Sequence, residues 1–115
     1  MRDTDRCVRR LAGSFLGRVE HPAAIAALLG ALDDQNSDTR YVAVIGLGLA
    51  EDSSALQPLI RRLRDQSASV RRAAAWGLGS LENKAALLPL IEALERDADP
   101  RVRQTAAWAI GQVTG

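Results

Sequence analysis

The sequence predicts an all-α fold, a right-handed solenoid of about three and a half stacked helical hairpins. Seven helices would form one domain over residues 1–115. Three observations predict it. The first is an internal repeat. With Val8, Thr39, Val70 and Val102 as anchors, arginine follows each one directly (Arg9, Arg40, Arg71, Arg103). Alanine stands four residues later (Ala12, Ala43, Ala74, Ala106) and glycine nine later (Gly17, Gly48, Gly79, Gly111). Aspartate stands five before (Asp3, Asp34, Asp65, Asp97). A fixed period of this length marks stacked-repeat architecture. The second is a helical 3-4-7 spacing of apolar residues between the anchored segments: Ile25, Leu28, Leu32; Leu56, Leu59, Leu63; Leu87, Leu90, Leu94. The third is composition. Apolar residues make up 47% and aromatics only 3%, so small aliphatic side chains must fill the core, which suits closely approaching helices.

Two kinds of helix alternate. The A-type helices carry the anchors and are expected at 6–19, 37–50, 68–81 and 100–113. Each follows an N-cap candidate, Asp5, Asn36, Ser67 or Asp99, whose side chain can accept from a first-turn N–H. The B-type helices are expected at 22–32, 53–63 and 84–95. Pro22 and Pro100 stand at first helical positions, where the missing N–H costs nothing. Pro58 and Pro89 lie one turn further in and should bend their helices or delay their start. The pairs then span about 3–33, 34–64 and 65–96, with a final A-type helix in 97–115. Gly46-Leu47-Gly48 and Gly77-Leu78-Gly79 lack the strand context and Lys-Ser/Thr ending of a phosphate loop. They read as close-approach glycines inside helices. The arginine and aspartate columns suggest a ladder, with each arginine reaching the aspartate and loop carbonyls of an adjacent repeat.

Composition also excludes functions. Fifteen Lys+Arg against 14 Asp+Glu give a formal net charge of +1, with no overall attraction to nucleic acid or anionic membrane. One cysteine and one histidine cannot make a disulfide framework or the usual Cys/His zinc sets. The start, Met1 to Arg6, has no apolar signal core, and the apolar run from Tyr41 to Ala50 is far short of the ~20 residues a spanning helix needs. The expectation is a soluble, cytoplasmic protein with no metal and no cofactor.

The third repeat reads Asp65-Gln66-Ser67-Ala68-Ser69-Val70-Arg71-Arg72-Ala73-Ala74-Ala75-Trp76-Gly77-Leu78-Gly79, and its partner helix Leu87-Leu88-Pro89-Leu90-Ile91-Glu92-Ala93-Leu94. This pattern resembles the HEAT-like repeats first named from phycobilisome lyases, over residues 3–115. The first repeat departs most, with Phe15 where others carry Gly or Ala, and reads as an N-terminal cap. The resemblance implies an α-solenoid whose concave face is lined by the A-type helices and often binds other proteins. Some HEAT-like enzymes hold iron through His-Glu dipeptides, and this chain has none.

At ~100° per residue, positions two, three, six and ten after each anchor share one face, away from the core stripe. That face reads Tyr41, Val42, Ile45, Leu49, then Arg72, Ala73, Trp76, Ser80, then Gln104, Thr105, Trp108, Gln112. An apolar, aromatic patch on a charged surface is a candidate interface, and Trp, Tyr and Arg dominate binding hot spots. The candidate partner-binding residues are therefore Tyr41, Ile45, Leu49, Arg72, Trp76, Gln104 and Trp108. The competing reading has both indoles packed between neighbouring A-type helices.

The leading expectation is a non-catalytic scaffold holding a peptide or protein surface. Nucleic-acid recognition is an alternative, with Arg6, Arg10, Arg18, Arg72, Arg101 and Arg103 near the face and indoles to stack on bases. The resemblance adds a second alternative, a bilin-lyase-like subunit. No catalytic set emerges: His21 reads as a turn residue and Cys7 as an unpaired thiol. The last A-type helix has no B-type helix after it, so two further readings stay open, a fragment of a longer solenoid or end-to-end self-association.

Overall fold

A computed structural model describes residues 22–115. The expected helix at 6–19, with Cys7, His21 and the first-repeat arginines, lies outside the described residues. Six α-helices follow in order: α1 (Pro22–Ala31), α2 (Ser37–Ala50), α3 (Leu56–Arg62), α4 (Ala68–Leu81), α5 (Leu87–Arg96) and α6 (Pro100–Thr114). There is no strand among the described residues. Seven helices were expected over the whole chain, and these six account for the expected helices from residue 22 onward. The A-type helices are α2, α4 and α6; the B-type helices are α1, α3 and α5.

Local chemistry sets the ends. Asn36 caps α2 by accepting from the Asp38 N–H, and Asp99 caps α6 by accepting from the Arg101 N–H. Ser67 has the extended cap backbone at the head of α4, but its hydroxyl makes no capping bond. Pro58 and Pro89 are the third residues of α3 and α5. First-turn N–H groups have no intrahelical acceptor, so a proline there loses nothing. Each of these helices enters through a 3-10 turn, Ser53–Ala55 or Lys84–Ala86, which is the delayed start the prolines suggest. Helices α2 and α4 both stop at a glutamate in the left-handed region, Glu51 and Glu82, each at φ 53°. That conformation costs a non-glycine residue roughly 1–2 kcal/mol.

Packing makes two layers. Helix α2 packs on α4 and α4 on α6, while α1, α3 and α5 each pack most closely on the A-type helix that follows. The B-type helices do not pack on one another in that way. Leu47, Leu59, Leu78, Leu90, Val44, Val70 and Val102 are fully buried. Each contributes roughly 1.5–3 kcal/mol of burial. Small residues bring the layers together. A Cβ at Gly77 would lie 3.2 Å from Leu59 Cδ1, so the leucine of a B-type helix rests directly on the A-type backbone. A Cβ at Gly48 would lie 3.0 Å from the Gly77 Cα, so α2 and α4 approach backbone to backbone.

Candidate protein-interaction face

Stacking in register lines up the stripes of α2, α4 and α6. Tyr41 is 37% exposed, Val42 55% and Trp108 43%, while Ile45, Leu49 and Trp76 are half-buried. Arg72 and Gln104 are exposed on the same helices. All seven candidate residues therefore reach the surface at least in part. The stripe is not uniform: Ala73 is buried and Thr105 half-buried. Val42, part of the stripe but outside the candidate set, is its most exposed large apolar side chain.

The indoles are held by the glycine column nine residues after the anchors. A Cβ at Gly48 would fall 2.6 Å from Trp76 Cζ3, and one at Gly79 would fall 2.6 Å from Trp108 Cζ3. Each ring thus lays one edge on the bare backbone of the preceding A-type helix; Trp108 stays exposed, while Trp76 is half-buried. Packing between helices and exposure on the face are both realised. Sequence reasoning named the glycines and the tryptophans but missed that each glycine seats the next repeat's indole. The recurring pairing of Gly48 with Trp76 and Gly79 with Trp108 was the available signal. Acrylamide should accordingly quench the emission of a Trp76→Phe variant, which reports Trp108, more strongly than that of a Trp108→Phe variant, which reports Trp76. Equal and negligible quenching would place both rings in the core.

A family model described as HEAT repeats matches residues 1–74 and again residues 56–115, together the whole chain. The chain belongs to the HEAT-repeat family. HEAT repeats generally serve as protein-interaction scaffolds. The search of curated proteins returned no significant match.

Two rungs of an ion-pair ladder hold this HEAT-repeat chain in register behind the face. Arg40 donates from Nε and Nη2 to Asp65 at 2.9 and 3.1 Å, and Arg71 does the same to Asp97 at 2.9 and 3.3 Å. The third guanidinium nitrogen, Nη1, binds the loop carbonyls of the arginine's own repeat: Asp34 and Gln35 for Arg40, Asp65 and Gln66 for Arg71. The expected ladder therefore forms with one change. The aspartate comes from the next repeat, while the carbonyls come from the arginine's own. The rigid, planar guanidinium spans both, which a lysine could not do.

Asp65 is the buried charged residue of the described part. Burial alone would raise its pKa, but the bonds from Arg40 and the Ser67 N–H outweigh that and hold the carboxyl below its usual value. The Asp99 carboxyl is also held low, chiefly by the Arg101 N–H. A depressed native pKa adds stability that is present above the unfolded value of about 3.9 and lost as pH falls through the native one. Urea titrations should show stability falling below about pH 4, and Asp65→Asn should flatten that acid limb. An unchanged limb would mean other groups carry the acid sensitivity.

The arginines of the nucleic-acid alternative are differently employed. Arg103 donates to the Asp97 carbonyl, and Arg101 lies 3.5 Å from Asp99. Of the three described, Arg72 and Arg103 meet no carboxylate among the described residues, and Arg72 is the exposed one. Among the described residues no cluster of His, Cys, Asp or Glu could hold a metal, and no helix is long and apolar enough to cross a membrane.

Proposed function

We propose that α2, α4 and α6 form the concave, non-catalytic docking face of a scaffold that holds a peptide or the surface of another protein. The observation that carries this reading is the stripe of Tyr41, Val42, Ile45, Leu49, Trp76 and Trp108, half-open on three helices in register. Curvature supports it. Glycine lets the A-type backbones touch, while α1, α3 and α5 pack chiefly on the A-type layer, which favours closure on the A side. Aromatic rings seated on glycine are rigid anchors that lose little entropy on binding, and exposed Arg72 and Gln104 supply a polar rim.

The test is selection of binders from a displayed peptide library, followed by substitution on each face. Tyr41→Arg and Val42→Asp alter exposed side chains without emptying an indole seat, so folding should be unaffected. Each should weaken the selected binders at least tenfold, and Leu88→Asp on the exposed side of α5 should not. Binders that tolerate both stripe substitutions and are lost with Leu88→Asp would transfer the docking face to the B side.

A further inference from the structure

The contacts that join each repeat to the next recur in three columns, and at α6 all three are open on the side facing away from α4. Arg40 and Arg71 each grip the aspartate of the following repeat, whereas Arg103, half-buried, keeps only its bond to the Asp97 carbonyl and meets no carboxylate among the described residues. Gly48 and Gly79 each carry an indole edge, whereas a Cβ at Gly111 would meet nothing within 4 Å. Val44 and Ala75, five residues after their anchors, are fully buried, whereas Ala107 in the same column is exposed.

We propose that this edge of α6 is a docking socket for one further helical hairpin of the same repeat type, carrying an aspartate and a tryptophan eleven residues apart. Both filled rungs have that spacing, Asp65 with Trp76 and Asp97 with Trp108. The carboxylate would bind Nε and Nη2 of Arg103, the indole would lie on Gly111, and the incoming helix would cover Ala107. Charge complementarity and continuity with the α4–α6 interface choose this occupant. The first repeat of a second copy offers Asp3 but places Ser14 eleven residues later, so it would leave the ring seat empty. The socket and the stripe are separate surfaces, and either reading can fail without the other.

The test extends the full chain at its C-terminus with a copy of residues 84–115, which supplies a second Asp97 and a second Trp108 in register. The extended chain should gain helical signal in proportion to its length and melt several degrees higher than the unextended chain. Gly111→Ala should hold or raise the melting temperature of the unextended chain, because alanine is the better helix former in open space. In the extended chain the same substitution should lower it. Arg103→Met should cost more degrees in the extended chain than in the unextended one. An appended hairpin that adds no helix, or substitutions that shift both chains equally, would overturn the proposal. So would concentration-dependent association of the unextended chain that Gly111→Leu abolishes, since that assigns the edge to a second copy.

Discussion

Asp65→Ala should destabilise the chain by about 3 kcal/mol, measured by urea unfolding near neutral pH. The carboxylate is 3% exposed and accepts from Arg40 Nε at 2.9 Å and Nη2 at 3.1 Å, from the Ser67 N–H at 2.9 Å and from Arg62 Nη1 at 3.5 Å. Removing it strands two guanidinium donors in a pocket where Arg40 is itself only 12% exposed. Breaking a buried pair typically costs about 3–5 kcal/mol, because one charge is left without compensation. Arg40 keeps its bonds to the Asp34 and Gln35 carbonyls, which favours the lower end. Arg64→Ala is the contrast. Its pair with Glu92 is open to solvent on both sides, and surface pairs are worth roughly 0–1 kcal/mol. The double variant Arg40→Met, Asp65→Leu removes both charges together and should recover part of the loss. A loss from Asp65→Ala no larger than that from Arg64→Ala would mean that the rung does not hold the repeats in register.

The helices were legible because their signals are local. Cap residues, anchor spacing and proline positions place α2 at 37–50 and α4 at 68–81, and the structure has them there. The candidate side chains, chosen by helical spacing, are all at least partly open to solvent. What the sequence left open is the offset between neighbouring repeats. That offset decides that Trp76 lies on Gly48, that Val44 and Ala75 disappear between A-type helices, and that each arginine takes its carboxylate from the next repeat but its carbonyls from its own. The contacts between repeats join residues 25 to 29 positions apart. A period of 31 or 32 establishes that the same contact recurs without saying which columns meet. Ser67 shows the opposite limit. The residue type suits a cap, yet its backbone N–H is claimed by Asp65 and its hydroxyl is unused in capping.

Gly79→Val should cost about 3 kcal/mol, the upper end of what overpacking a core typically costs. A Cβ there would lie 2.6 Å from Trp108 Cζ3 and 3.0 Å from both the Cα and the Cβ of Ala109. The indole could swing outward, but the Ala109 backbone cannot move unless α6 separates from α4. Because α5 packs on α6, that separation would loosen the last two helices together. The variant should melt earlier and show redder, more readily quenched tryptophan emission as Trp108 leaves its seat. Gly30→Ala is the matched control. Nothing lies within 4 Å of a Cβ at that position, so the gain in helix propensity, up to about 1 kcal/mol, is unopposed. Opposite signs at two helical glycines would separate a steric requirement for close approach from a general effect of glycine on helix stability. If Gly79→Val behaved like Gly30→Ala, α4 and α6 would not be in backbone contact, and the seat for the indole would not exist.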